Sequence, residues 1–136
     1  MAFWLLKTEP SEYSYADLVR EKKAVWDGVT NNWALKFIGD IRKDDMALIY
    51  HTGKEKCLTG LAKVVSDPYP DPKKKDQKLL VFDLIPVKKL SGNITLKMLK
   101  SDSFFAAFLL VKFTRLSVMP VSEDHWEKIF EIEQKV

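Results

Sequence analysis

Cysteine is scarce in this chain: its 136 residues include one, Cys57. A single thiol forms no internal disulfide, and the sequence does not open with a basic segment followed by an apolar one. We therefore expect a reducing compartment, cytoplasmic or, in a eukaryote, nuclear. No apolar run approaches the roughly 20 residues that cross a bilayer, so no membrane partner is predicted.

The residues and motifs of familiar enzymes are also few. The chain contains no Gly-rich phosphate loop, no G-x-S-x-G elbow, no H-E-x-x-H motif and no pair of C-x-x-C motifs. Two histidines and one cysteine make no strong metal site unless carboxylates complete it. The sequence therefore predicts a non-catalytic protein without a metal or another cofactor.

The composition that remains is that of one compact domain over residues 1–136. Hydrophobic residues make up 46% of the chain and the net charge is +3, so a core can form and polyanions are permitted as partners. Lysines cluster in Pro70–Lys78, which includes the run Lys73–Lys75. The alternative interpretation of that run is a solvated turn that binds nothing.

Local patterns predict short helices. Ser14 and Asp17 have the spacing of a capping box, which favours a helix from Tyr15 to Lys23. Further helices are expected over Asn32–Ile41, over Leu96–Lys100 after Thr95, and after Ser122 near the end of the chain. The apolar segment Ser103–Leu110 is either a helical turn or a buried stretch.

Short β-favouring segments lie between the predicted helices, and polar or Pro-containing turns bound them. The predicted strands are Phe3–Pro10, Ala24–Val29, Met46–Gly53, Cys57–Val65, Lys78–Leu90 and Phe113–Val121. The long crossovers of a parallel sheet are missing. The sequence thus predicts an α+β fold on a curled, mostly antiparallel sheet of about five to six strands.

Two tryptophans lie among carboxylate and amide side chains in the stretch AVWDGVTNNWALKFI, which begins at Ala24. Neither a core pattern nor a simple turn requires them there. Glu9 and Asp27 each end a predicted strand near an aromatic residue, which suits either an acid with a raised pKa or an acceptor for a ligand N–H. His51 also ends a strand, where a structural hydrogen bond, a ligand contact and catalysis all remain open.

Six short motifs, in the same order and spacing, resemble the EVE domain family over nearly the whole chain. They are FWLLKTEP from Phe3, VWDGVTN from Val25, LIYHTG from Leu48, GLAKVV from Gly60, YPDP from Tyr69 and RLSVMPV from Arg115. The resemblance implies a PUA-like pseudo-barrel with short helices packed around it. It also implies kinship with thymocyte nuclear protein and with YTH domains, which recognise methylated adenine in RNA.

The resemblance further implies that the protein reads a modified base in DNA or RNA, with Trp26 in the position of an aromatic-cage residue of the YTH relatives. The candidate base-binding residues are Lys7, Glu9, Trp26, Asp27, Asn31, Asn32, Trp33, His51, Thr52, Ile85, Pro86, Ser117 and Met119. The candidate phosphate-binding residues are Lys73, Lys74, Lys75, Lys112 and Arg115. A base needs a π-face to stack on and polar atoms that contact its edge.

The chain departs from the family pattern at several positions. Trp33 follows Asn32 where many members have R-N-Y-Q-A-R-N, so it either replaces a missing aromatic or packs in the core. Lys112 keeps a charge without the planar geometry of arginine. Ile85 lies near the place of a second cage tryptophan in YTH domains.

Two other function classes stay open. Lys7, Thr8 and Glu9 resemble the residues with which ASCH relatives hydrolyse an acylated cytidine, although alternation along a strand directs Thr8 away from the other two. A protein-interaction module would use the segment Ser103–Leu110 if Phe104 and Phe108 were exposed. We expect a monomer, with a weak dimer as the alternative.

Overall fold

The computed structural model describes residues 1–135 of the chain. In this part the strands are β1 (Phe3–Thr8), β2 (Ala24–Trp26), β3 (Met46–His51), β4 (Cys57–Val64), β5 (Tyr69–Pro70), β6 (Leu80–Lys89) and β7 (Val118–Pro120). The α-helices of the same part are α1 (Tyr15–Glu21), α2 (Asn32–Asp40), α3 (Leu96–Lys100), α4 (Leu109–Lys112) and α5 (Glu123–Gln134).

The sheet has the strand order β2-β6-β4-β3-β1-β7, and the two-residue β5 pairs with β6. β1 and β3 are parallel, whereas the other pairs are antiparallel. The register shifts between Ile49 and Tyr50 and again between Leu61 and Ala62, and such bulges bend a sheet. The predicted α+β class and mostly antiparallel sheet are confirmed.

The capping box predicted before α1 is present. The Ser14 hydroxyl accepts from the Asp17 N–H at 3.1 Å, and the Asp17 carboxylate accepts from the Ser14 N–H at 2.8 Å. Lys22 takes a left-handed conformation with φ 68°, so α1 ends earlier than the predicted Lys23. These two caps fix the length of the helix that borders the site described below.

α2 forms where it was predicted, and its buried face does not include Trp33. Asn31 caps it by accepting from the Ala34 N–H at 3.0 Å. The buried residues are Ala34, Leu35 and Ile38, so Trp33 lies outside the core. The core alternative for Trp33 is therefore wrong.

The strand predicted over Phe113–Val121 is much shorter. Phe113 is the C-cap of α4 and residues 114–115 form a turn, so only β7 pairs with β1. The preceding segment Ser103–Leu110 combines both predicted forms. It makes a 3₁₀ turn at Ser103–Phe105, buries Phe105 and Phe108, and leaves Phe104 47% exposed.

α5 begins at the predicted cap, because the Ser122 hydroxyl accepts from the His125 N–H at 3.2 Å. Its buried residue Ile129 belongs to the core, and Trp126 stacks on Phe3 of β1 with ring centroids 4.4 Å apart. No helix of residues 1–135 is both long and apolar enough to cross a bilayer.

Gly60 allows α1 to pack against the sheet. A Cβ atom at Gly60 would overlap the ring of Tyr15, which is buried and whose hydroxyl donates to the Leu61 carbonyl at 2.8 Å. Because that ring is fixed, we expect Gly60→Ala to lower the free energy of unfolding by about 2 to 3 kcal/mol. Urea denaturation followed by circular dichroism measures the change.

Gly39 provides the matched control. It lies in α2, and a Cβ there would have its nearest neighbour, Leu80 Cδ1, at 3.9 Å. We expect Gly39→Ala to raise the free energy of unfolding by about 0.5 to 1 kcal/mol. Equal stability of the Gly60→Ala variant and the parent protein would contradict the packing of α1 on β4.

Candidate functional site

A cleft of about 830 Å³ opens where β1 and β2 end beside α1. Its remaining wall is the loop that leads from β2 into α2. The lining residues are Lys7, Thr8, Glu9, Glu12, Tyr13, Glu21, Lys23, Ala24, Val25, Trp26, Asp27, Gly28, Val29, Thr30, Asn31, Lys73 and Ser117. We call this space the Trp26 cleft.

Trp26 lies at the end of β2, opposite Phe82 of β6. The residue is 7% exposed and belongs to the hydrophobic core. Tyr13 packs its ring edge-to-face against the indole, with centroids 6.2 Å apart and an interplanar angle of 83°. Trp26 thus lines the cleft with little of its surface exposed, and Tyr13 supplies the neighbouring aromatic surface.

The loop of residues 27–30 contributes unpaired polar groups. Gly28 has φ +80°, a conformation that glycine adopts at low cost. Among the described residues, no hydrogen bond is made by the backbone of residues 27–30 or by the side chains of Asp27 and Thr30. These exposed donors and acceptors are available to a ligand, because no other part of the protein uses them.

Tyr13 is held as a hydrogen-bond donor. Its hydroxyl donates to Glu21 Oε1 at 2.5 Å. Burial, followed by the hydrogen bond and the charge of Glu21, raises the pKa of Tyr13 well above its ordinary value. The phenol therefore stays protonated at neutral pH, and its ring orientation beside Trp26 is fixed.

Lys7 and Glu9 lie close in sequence but have separate partners. Lys7 Nζ donates to the Thr114 carbonyl at 2.9 Å, and burial lowers the pKa of Lys7. The Ser11 backbone N–H, with smaller contributions from the Ser11 and Thr52 hydroxyls, holds the pKa of Glu9 below its ordinary value. Glu9 is thus an ionised acceptor, and the raised-pKa alternative is wrong for this residue.

Seven of the thirteen candidate base-binding residues line the Trp26 cleft or reach it through a hydrogen bond. Those that line it are Lys7, Glu9, Trp26, Asp27, Asn31 and Ser117. Thr52 does not line it, but its hydroxyl donates to Glu9 Oε2 at 3.3 Å. Of the candidate phosphate-binding residues, all of which the structure describes, Lys73 alone lines the Trp26 cleft.

His51 needs a correction, because both of its ring nitrogens are occupied. Nε2 accepts from the Tyr15 backbone N–H at 3.0 Å, and Nδ1 lies 3.0 Å from Glu55 Oε1. Since Nε2 accepts, the proton is on Nδ1 and is donated to Glu55. The buried His51 anchors the start of α1, and a base contact by its ring is wrong.

Other candidates lie away from the cleft. Met119 is fully buried on β7, opposite Leu5. Ile85 and Pro86 pair with β4 on the far side of β6 from β2. None of these three residues lines the Trp26 cleft, so the structure contradicts a base contact there for them.

The remaining candidates are exposed and outside the lining. Asn32 begins α2, and Trp33 packs against Phe37 and Phe113 rather than entering the cleft. The others are the phosphate-binding candidates Lys74, Lys75, Lys112 and Arg115. For Asn32 and Trp33, a base contact inside the cleft is wrong because α2 points them outward.

The sequence model of the EVE domain matches residues 2–132, almost the whole chain. The chain belongs to the EVE domain family. Thymocyte nuclear protein 1 of Mus musculus is 28% identical in an alignment 166 residues long, gaps included. The alignment covers 97% of this chain and 74% of the mouse protein. The resemblance stated from the sequence is thus confirmed, including its link to thymocyte nuclear protein.

Solved structures agree with the EVE fold. A Rhodopseudomonas palustris protein is 31% identical, with a TM-score of 0.93 over 100% of this chain and 95% of that chain. Human thymocyte nuclear protein 1, in complex with DNA that contains 5-methylcytosine, is 26% identical, with a TM-score of 0.91 over 100% of this chain and 99% of that chain. The PUA-like fold predicted for the EVE domain is confirmed.

An ASCH structure from Zymomonas mobilis is 10% identical to the EVE domain, with a TM-score of 0.61 over 96% of this chain and 94% of that chain. This likeness concerns the fold alone. Within residues 1–135 of the EVE domain, no group of three or more His, Cys, Asp and Glu side chains could hold a metal ion.

Sequence reasoning missed several cleft residues of this EVE domain. Tyr13 was not among the candidates, yet its ring packs against Trp26. Glu12, Glu21, Val25 and Val29 also line the cleft. Their only sequence signal is that they lie in or beside α1 and β2. The spacing of one helix does not show which residues a distant strand brings beside it.

Proposed function

We propose that this EVE domain is a non-catalytic nucleic-acid-binding module that holds one modified base in the Trp26 cleft. The observation that carries the proposal is the juxtaposition of an aromatic surface, made by Tyr13 and Trp26, with the unpaired loop of residues 27–30. The human relative in complex with DNA containing 5-methylcytosine supports the class of ligand.

The polar groups of the cleft suit the edge of a cytosine. Cytosine presents an amino donor, which the Asp27 carboxylate accepts, and ring acceptors, which backbone N–H groups of residues 28–30 or the side-chain N–H of Asn31 satisfy. Val29 and the two aromatic rings offer apolar surface to a methyl group. We therefore take 5-methylcytosine as the first base to test.

The charges of the lining favour phosphates at the rim rather than deep in the cleft. The lining contains four carboxylates, Glu9, Glu12, Glu21 and Asp27, against three lysines. Of these lysines, Lys7 donates to Thr114 and Lys23 lies 3.6 Å from Asp83. Lys73, with Lys74 and Lys75 beyond it, remains as the phosphate contact near the cleft.

The positions of the side chains disfavour the two other function classes, an ASCH-like enzyme and a protein-interaction module. The Thr8 hydroxyl donates to the Tyr13 carbonyl at 2.7 Å, and no hydrogen bond of the described residues joins Lys7, Thr8 and Glu9 to one another, so an ASCH-like catalytic set is not assembled. Phe108 is buried, and the condition for an interaction module at Ser103–Leu110 is not met.

Asp27→Ala tests the proposal without disturbing the fold. Asp27 is exposed and makes no hydrogen bond within the described residues, whereas an acceptor bonded to the base amino group contributes about 1.5 to 3 kcal/mol. We therefore expect the variant to bind a single strand containing 5-methylcytosine about 10- to 100-fold more weakly, which corresponds to the loss of that hydrogen bond. Fluorescence anisotropy of a labelled oligonucleotide measures it.

Glu127→Ala is the matched control. Glu127 is an exposed carboxylate of α5 outside the cleft, and its loss raises the net charge by the same amount as Asp27→Ala. Both variants attract DNA slightly more through charge alone, so weaker binding by Asp27→Ala reports a specific contact. Equal affinities of the two variants for the methylated strand would contradict the pocket assignment.

A further inference from the structure

A second aromatic surface lies beside the Trp26 cleft. Trp33 is 42% exposed and Phe113 is 37% exposed. Their rings meet edge-to-face with centroids 4.9 Å apart and an interplanar angle of 82°. Phe37 supports Trp33 from the same helix at 5.8 Å. This Trp33–Phe113 pair is held in place, although it leaves much apolar surface in water.

Chain connections and one hydrogen bond place the pair at the rim of the cleft. Asn31 lines the cleft and caps α2, and Trp33 follows it by two residues. On the other side, Lys7 lines the cleft and its Nζ donates to the carbonyl of Thr114, the residue after Phe113. Both members of the pair are therefore tied to the cleft wall.

One cation contacts the pair, and two more lie close to it in sequence. Lys112 Nζ lies 5.8 Å from the centre of the Phe113 ring. Lys36 and Arg115 are exposed nearby in sequence, and among the described residues none of these three side chains forms an ion pair. Exposed aromatic rings among unpaired cations are complementary to a nucleotide, which has a π-face and a negative phosphate.

We propose that the Trp33–Phe113 pair stacks the base next to the one held in the Trp26 cleft, while Lys112 and Arg115 contact the intervening phosphate. The inference rests on the proposed function and deepens it. Its consequence is that the ligand is a single-stranded or locally unstacked polynucleotide rather than a free nucleoside, because a free nucleoside leaves the pair unused.

The test compares two probes. One is 5-methyldeoxycytidine monophosphate, and the other is a single-stranded pentadeoxynucleotide with central 5-methylcytosine between thymidines. We expect Trp33→Ala to bind the monophosphate like the parent protein but to bind the pentanucleotide about 5- to 100-fold more weakly, the loss typical of one stacked base. Isothermal titration calorimetry gives both affinities. We expect Phe113→Leu, too, to weaken binding of the pentanucleotide relative to binding of the monophosphate.

Phe104→Ala is the matched control. Phe104 is an exposed aromatic residue with a lysine, Lys128, 5.9 Å from its ring centre, and it does not line the cleft.

An unchanged pentanucleotide affinity in Trp33→Ala, or an equal loss in Phe104→Ala, would overturn the inference and leave the cleft proposal standing. A parent protein that binds neither probe would overturn both. Trp33-dependent binding of an unmethylated pentanucleotide, without binding of the monophosphate, would support the stacking site and contradict the cleft.

Discussion

Replacing Trp26 with alanine is expected to lower the free energy of unfolding by about 3 to 5 kcal/mol and to abolish binding of the methylated strand. The indole belongs to the core and packs against Tyr13, so its loss leaves a cavity under the cleft. The variant also lacks the indole that lines the cleft. Urea denaturation gives the first effect, and anisotropy at a temperature where the variant is folded gives the second.

A pair of conservative variants separates the two effects. Trp26→Phe and Trp126→Phe each shorten a packed tryptophan, but Trp126 stacks on Phe3 and does not line the cleft. We expect Trp26→Phe to lose about 5- to 10-fold in affinity for the methylated strand, while Trp126→Phe keeps the parent affinity. An unchanged affinity in Trp26→Phe would show that the indole serves the fold alone.

Replacing Asp45 with alanine is expected to cost about 3 to 4 kcal/mol of folding free energy. Asp45 is buried. Its carboxylate accepts from the Ala2 N–H, the Trp4 indole N–H and the Arg42 N–H, each at 2.9 Å. One side chain therefore joins the start of β1 to the connection between α2 and β3. Alanine leaves these donors without a partner in a largely buried site.

Asp67→Ala is the comparison for this prediction. Asp67 is exposed and accepts a single hydrogen bond, from the Lys43 N–H at 2.9 Å. We expect it to cost about 0.5 to 1 kcal/mol in the same urea denaturation experiment. If Asp45→Ala were no more destabilised than Asp67→Ala, the buried hydrogen-bond network around Asp45 would be wrong.

The helices were predictable because their signals are local. Ser14 and Asp17 specify the start of α1 within four residues, and Thr95 and Ser122 cap α3 and α5 in the same way. The strand β7 was predicted less accurately than the helices. Met119 was predicted to contact a base, but Val118 and Met119 are both fully buried. A strand covered on both sides has no alternating pattern.

In the candidate site, too, local sequence signals were informative, whereas contacts between distant segments were not predictable. Trp26 and Asp27 were suggested by an unusual local stretch, and the structure brings Lys7, Glu9 and Ser117 to the same cleft from distant segments. His51 has the same strand-end position as Glu9, yet the Tyr15 N–H and Glu55 occupy its nitrogens. These partners lie on other elements, so only the assembled fold decides which polar side chain is free for a ligand.

Amide NMR titration of the isotope-labelled protein with the methylated pentanucleotide tests the central claim most directly. Trp33 complicates a fluorescence assay because it is more exposed than Trp26, whereas NMR reports each residue separately. The account predicts the largest shifts at the N–H groups of residues 28–30 and at the Trp26 indole. Shifts confined to residues outside the Trp26 cleft, such as Phe104 and His125, or no shifts in the folded protein, would contradict it.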